Sequence, residues 1–180
     1  MKTISTVHKK IETPLGAMFA IGDDRAVCLL QFLDCKGLER EVVRLEKGKG
    51  AKIMPGTTAP LETLEKELGQ YFKGALFEFT TPCEYNGTPF QKGVWERLRK
   101  IQYGETCSYA GVAASIGKPT AFRAVANANA ANVLTIVTPC HRVINSNGDL
   151  GGYAGNIERK QWLLNLERSD LSRRQHHVSR

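Results

Sequence analysis

Residues 136–143 read Ile-Val-Thr-Pro-Cys-His-Arg-Val, and the proline inside that β-branched run limits the fold more than any other residue. The run predicts a short buried strand. Pro139 has no N–H with which to continue a ladder, so the backbone is expected to leave the sheet there and carry Cys140 at the strand's end. A thiol becomes a strong nucleophile only as the thiolate, which needs a base or a positive neighbour; His141 and Arg142 follow at once. Side chains adjacent in extended backbone point to opposite sides. Cys140 and His141 are therefore expected to communicate through a bridging water, with a third group orienting the imidazole. On these residues alone, a buried and inert cysteine beside an ordinary histidine fits equally well.

A chain of 180 residues with 42% hydrophobic content can bury a core as one domain or a small pair. No apolar run approaches the roughly 18–20 residues of a membrane span, and residues 1–10 lack the apolar stretch of a signal peptide, so a cytoplasmic location away from membranes is expected. The five cysteines (Cys28, Cys35, Cys83, Cys107 and Cys140) are odd in number and form no C-x-x-C pair. That argues against a disulfide framework or a zinc knuckle, and no metal is expected. Charge is uneven: residues 1–85 hold 12 basic and 12 acidic side chains, residues 86–180 hold 13 and 6, so the second half carries the whole net +7. A basic half beside a neutral one suggests a polyanion partner, the plainer alternative being a soluble basic surface.

Residues 4–11, 17–21 and 26–32 read as strands separated by the turns 13–16 and 22–24, which gives a small antiparallel sheet. Helices are expected over 38–46 and 60–72, the second presenting Leu61, Leu64, Leu68 and Phe72 on one face. A loop over 48–58 separates them, and 73–79 is expected to return as a strand. Residues 81–86 read as a linker. Thr88-Pro89-Phe90-Gln91 then has the form of a capping box with proline at the first helical position, opening a helix to about Ile101 with Phe90, Val94, Leu98 and Ile101 inward. The domains expected are an α/β unit over 1–85, a mostly helical unit over 86–168 and a disordered basic tail over 169–180.

Ser108 is an N-cap candidate for a helix over 109–116 that presents Val112, Ala113 and Ile116 inward. Gly117 makes a turn, and 119–131 forms a second helix; the pair has the spacing of a helix-turn-helix. The second helix offers Ala121, Ala124, Ala126, Ala128 and Ala130, with only Arg123, Asn127 and Asn129 as long or polar groups. A helix that reads the major groove usually carries several base-reading side chains, whereas small residues allow close backbone approach, so this helix suits the minor groove of duplex DNA. A plain Ala-rich core helix is the alternative. Further on, 145–149 is a turn-rich loop, Gly151-Gly152-Tyr153-Ala154-Gly155 would let backbone approach a flat ligand, and Asn156 caps a last helix that presents Ile157, Trp162, Leu163 and Leu164 to the core.

Pro-Cys-His-Arg-Val from Pro139, Gly-Tyr-Ala-Gly from Gly152 and Trp-Leu-Leu-Asn-Leu-Glu from Trp162 resemble the O6-alkylguanine-DNA alkyltransferase family, strongly over residues 88–167. The resemblance implies a ribonuclease H-like N-terminal α/β domain and a single-use transfer of an alkyl group from O6 of guanine, with O4 of thymine a further candidate, to Cys140. It implies a relay of Glu167, His141, water and Cys140, with Tyr109 assisting base rotation and facing ring N3. Arg123 would fill the gap left by the extruded nucleotide, on a DNA-contacting helix that includes Ala124 and Asn127. The carbonyls of Cys140 and Val143, the amide of Ala154, Tyr153 and Gly155 would wall the guanine pocket, and Asn132 would tie the turn after the helix to the active-site strand. Val133 stands where many members have proline, and Ala154 where some have serine. The implied partner is double-stranded DNA carrying O6-alkylguanine, bound by a monomer without cofactor at the nucleoid. A non-catalytic damage sensor and a Cys-His hydrolase are the alternatives. The sensors replace the reactive cysteine, and a hydrolase would need an oxyanion hole and would not explain the basic, Ala-rich helix.

Overall fold

The structure, a computed structural model, describes residues 5–178, with side chains to residue 172. Two compact units span residues 1–85 and 86–180. In the first, β1 (Val7–Ile11), β2 (Met18–Gly22) and β3 (Val27–Phe32) form an antiparallel meander. The expected start of the first strand, Ile4, lies outside the described residues. Helix α1 (Leu38–Lys49) runs three residues past its expected end, to the left-handed Gly50. It closes one cluster with Ile21, Leu29, Leu45 and Ile53.

Two expectations fail here. A fourth strand, β4 (Met54–Pro55), lies in the segment read as a loop and pairs parallel with β1, so the sheet order is β3-β2-β1-β4 and the sheet is mixed. Pro55 cannot donate outward, which suits a two-residue edge. Conversely, 73–79 is not a strand. Helix α2 (Ala59–Phe72) ends as Gly74, at φ 69°, donates to the Tyr71 carbonyl and Ala75 to that of Gln70. The chain beyond is then held by Glu67, whose carboxylate accepts the amide and hydroxyl of both Thr80 and Thr81 at 2.5–3.0 Å. With the Thr80 and Thr81 amides taken by that side chain, the chain meets the sheet at Cys83, bridged to Val27. Helix α2 buries Tyr71 rather than Phe72 beside its three leucines, each fully buried leucine being worth roughly 1.5–3 kcal/mol.

In the second unit the Thr88 capping box forms, Gln91 N–H donating to the Thr88 hydroxyl at 3.2 Å and Thr88 N–H to the Gln91 side chain at 2.9 Å. Helix α3 (Pro89–Leu98) buries Val94, Trp95 and Leu98, with Ile101 just beyond its end; Phe90 is only half-buried, under Lys118. Ser108 caps α4 (Tyr109–Ser115) through the Gly111 amide at 2.9 Å. After the turn at Gly117, α5 (Phe122–Ala130) starts later than expected, because Pro119 to Ala121 form a turn closed by Ala121 N–H on the Lys118 carbonyl. The two helices make the helix-turn-helix.

Helix α6 (Ile157–Val178) corrects two readings. Ile157 and Trp162 are exposed, while Lys160, Leu163, Leu164 and Glu167 form its buried stripe. The expected disordered tail is helical to Val178, because Asp170 accepts from the Tyr103 hydroxyl at 2.7 Å and Leu171 packs against Gly104; residues 179–180 of that tail lie outside the described residues. No helix among the described residues is long and apolar enough to cross a membrane.

Candidate active site

The stretch 136–143 is not a strand ending in a thiol. Ile136 has φ 73°, an outlier for a β-branched residue, and Val137 N–H donates to the Thr135 carbonyl across it at 3.0 Å. Pro139, at φ −80° and ψ 64°, is the centre of an inverse γ-turn closed by Cys140 N–H on the Thr138 carbonyl at 2.8 Å. Cys140–Arg142 then form one 3₁₀ turn, and the strand β6 (Val143–Ile144) follows the cysteine instead of preceding it, parallel to β5 (Cys107–Ser108). The ladder is lost to Asn132, whose side chain competes for the same backbone groups. Its Nδ2 donates to the Thr138 carbonyl at 3.0 Å and to Cys140 Sγ at 3.1 Å, while its Oδ1 accepts from Leu134 N–H at 3.0 Å.

Cys140 is buried, and burial raises its pKa, an effect the Asn132 hydrogen bond and the Lys160 charge only partly offset. His141 has no exposed surface, and its burial, opposed by Glu167, lowers its pKa. Thiol and imidazole are therefore both neutral at rest. His141 Nε2 lies 2.7 Å from Glu167 Oε1, and Nδ1 has no protein partner. Glu167 is fully buried as well. Burial pushes its carboxyl up, but the contacts of His141 and Arg142 more than reverse that and hold it well below the usual carboxylate range. Arg142 grips both carboxylate oxygens, at 2.9 and 3.0 Å, and Gly104 N–H adds a third donor at 3.0 Å. An ionised Glu167 can only accept, so Nε2 carries the imidazole proton. Arg142 is thus turned away from the thiol it was expected to activate, and its remaining contacts are the Ile101 carbonyl at 2.6 Å and the face of Tyr103.

Cys140 opens onto a cavity of about 380 Å³ lined also by Tyr109, Asn127, Asn129, Asn132 and residues 152–155. Burial, and then the neighbouring Cys140, raise the pKa of Tyr109, so its hydroxyl stays protonated. The ring lies against Gly151, at φ 69°, where a Cβ would come within 3.1 Å of the hydroxyl. Among the residues expected to form the site, Cys140, Tyr109, Asn127, Asn132, Tyr153, Ala154 and Gly155 meet at this cavity, with His141 and Glu167 behind it. Val143 is fully buried and does not line it; its carbonyl accepts from Lys160 Nζ at 2.6 Å. Arg123 and Ala124 are exposed on α5, outside the cavity.

One residue, Lys160, and the contacts of two others, Asn129 and Arg142, escaped the sequence reading. Lys160 is fully buried, bound to the Val143 and Gly152 carbonyls, and pulled down by burial to a pKa of about 8. Asn129 donates to the Cys140 carbonyl at 3.3 Å. Arg142 orders Glu167. The available signal was register: 160, 163, 164 and 167 fall on one helical stripe, so a lysine and a glutamate in phase with two leucines had to be buried together. Among the described residues no group of three or more His, Cys, Asp or Glu side chains could hold a metal ion.

A model of the 6-O-methylguanine DNA methyltransferase DNA-binding domain matches residues 89–169. The chain is 40% identical over 161 residues to a methylated-DNA--protein-cysteine methyltransferase of Methanosarcina barkeri, covering 89% of this chain and 96% of that one. It is similar in structure to an O6-methylguanine methyltransferase of Mycobacterium tuberculosis, with a TM-score of 0.78 at 37% identity over 92% of this chain and 94% of that one. It is likewise similar to Mycobacterium tuberculosis OGT in complex with DNA, with a TM-score of 0.79 at 36% identity over 91% and 93%.

Proposed function

The chain belongs to the methylated-DNA--protein-cysteine methyltransferase family, and on that premise we propose that it repairs duplex DNA by moving an alkyl group from O6 of guanine irreversibly onto Cys140. The observation that carries this reading is His141. Its Nε2 is bound to an ionised glutamate and its Nδ1 is left without a protein partner, directly after a cysteine that lines a base-sized cavity. Such an imidazole is a general base.

The guanine is rotated out of the stack into the cavity, since its O6 substituent cannot be attacked in line within a duplex. Arg123 fills the gap it leaves, and Ala124 and Asn127 lie along the minor groove. The Cys140 proton passes through one water to His141 Nδ1, and the resulting imidazolium is held by Glu167. The Cys140 sulfur displaces the alkyl carbon; the new C–S bond forms as the C–O6 bond breaks, and its electron pair stays on guanine. Tyr109, protonated because its pKa is raised, donates a hydrogen bond to ring N3 as that charge develops. The proton held by His141 returns through solvent to the departing guanine. Asn132 holds Sγ in place, while Lys160 sets the Val143 carbonyl and offers a positive charge to the thiolate as it forms. Tyr153, Ala154 and Gly155 wall the base. A thioether is not hydrolysed, so each molecule acts once, without cofactor, as a monomer on cytoplasmic, nucleoid DNA.

The test is intact and peptide mass spectrometry after incubating excess protein with a duplex carrying one O6-methylguanine, beside an undamaged duplex and Cys140→Ala. The expected result is one added methyl on the Cys140 peptide, matched mole for mole by restored guanine. Damage-dependent binding with no methyl on Cys140 would replace the transferase by a sensor.

A further inference from the structure

Phe122 is the first residue of α5 and is 45% exposed, one of few large apolar side chains left so open among the described residues. Single exposed apolar residues are ordinary, but three observations set this one apart. It lies at i−4 and i−7 from Ala126 and Asn129, so it continues, one turn toward the helix start, the stripe with which α5 lines the Cys140 cavity. The guanidinium of Arg123 sits 5.7 Å from its ring centroid. And no Asp or Glu occurs anywhere from Cys107 to Arg142, so the surface around it carries Lys118 and Arg123 with no opposing charge of its own stretch.

We propose that Phe122 is a stacking platform: its ring packs on the nucleobase beside the extruded nucleotide, next to Arg123, on the minor-groove side of the duplex. The inference rests on the alkyl-transfer reading above. Extrusion of one nucleotide uncovers the π-face of its neighbour, and an aromatic ring stacks on any base without reading its edge. A platform of that kind suits a site that meets damage in every sequence context, and apolar wedges are a recurrent device of proteins that deform DNA from the minor groove. In the free protein the same ring holds the Arg123 guanidinium by a cation–π contact, which the duplex replaces with a base on the ring and a gap for the arginine.

The experiment measures equilibrium binding by fluorescence anisotropy to a labelled duplex with one O6-methylguanine. It uses the full chain carrying Cys140→Ala so that no transfer intervenes, with Phe122 intact or changed to Ala, Leu or Trp, across a range of salt concentrations. Phe122→Ala and Phe122→Leu should each weaken binding about tenfold, while Phe122→Trp stays within about twofold of the parent. The salt slope should be the same in all four, because no charge changes, whereas Arg123→Ala lowers it by about one. Leucine binding as tightly as phenylalanine would show that bulk suffices and would overturn the proposal. So would an alanine variant equal to the parent, or one that lowers the salt slope as Arg123→Ala does, since the ring would then act only through the arginine. Failure of the underlying reading is seen separately, as absence of methyl on Cys140 of the unaltered chain.

Discussion

His141 sits between a thiol that burial keeps protonated and a carboxylate that Arg142 and Gly104 keep ionised. Its pKa is below the ordinary 6.5 because burial penalises the imidazolium more than Glu167 supports it. The acid limb of the reaction follows from that sign. As the proposed general base, His141 remains unprotonated as pH falls through 6.5 and is lost only at its lower, folded value. Single-turnover methyl transfer should accordingly hold its rate from about pH 8 to below pH 6.5; a rate already halved at 6.5 would mean that the histidine is not held neutral. At this scale the sequence was readable where chemistry is written in adjacent residues or in helical phase. Cys140 and His141 are neighbours, and Glu167 lies in the last helix in register with Leu163 and Leu164. Asn129 and Lys160 were not readable as neighbours of Cys140 and Val143, because their contacts, at separations of 11 and 17 residues, are to backbone carbonyls, which leave no mark on side-chain identity. Arg142 was read as activating the thiol, and only the 3₁₀ turn turns it toward Glu167.

Among the elements, those whose ends are built from local side chains were legible: the Thr88 box, the Ser108 cap and the Asn156 cap, whose Oδ1 accepts from Arg159 N–H at 3.1 Å. Two segments are instead held by a polar side chain from elsewhere that takes up backbone groups. Asn132 does this to the stretch before Cys140, and Glu67 to Thr80 and Thr81 beyond α2. Neither can be seen in the β-propensity of the segment it captures. The Glu67 clasp can be tested by Glu67→Gln, which keeps the shape but replaces one acceptor oxygen by a donor. Loss of the two bonds to that oxygen should cost about 2–4 kcal/mol at neutral pH. Burial pushes the Glu67 carboxyl up, but the four hydrogen bonds from Thr80 and Thr81 outweigh it and leave the pKa below its ordinary 4.5. The stabilisation is therefore complete above pH 4.5 and drains as the pH falls through the folded value. Thermal melting of parent and variant should differ most near neutrality and converge in acid. A gap that survives acid unchanged would mean that packing, not the ionised clasp, holds residues 80 and 81.

For the molecule as a whole, the division of labour is written in charge. The first unit is balanced, while the second, which holds Cys140, carries the entire excess of seven positive charges. On α5 the exposed positions are 122, 123, 124, 127 and 130, which offer one cation and one aromatic ring among small and amide side chains. A surface of this kind gains most of its affinity from phosphates and little from base edges. The groups proposed for the chemistry, in contrast, have almost no exposure: Cys140, His141 and Glu167 are 5%, 0% and 0% exposed. Counter-ions screen exposed charges over about 8–10 Å at moderate salt but scarcely reach such a centre. Salt should therefore separate the two steps. Raising it from about 50 to 200 mM should weaken duplex binding tenfold or more if as few as about two phosphates are neutralised, while the methyl-transfer rate at saturating DNA stays within about twofold. Single-turnover rates measured against DNA concentration at both salts give the two quantities together. A saturating rate that fell in step with affinity would show that surface charge enters the chemical step itself, and the separation of a charged docking face from a buried reaction centre would have to be abandoned.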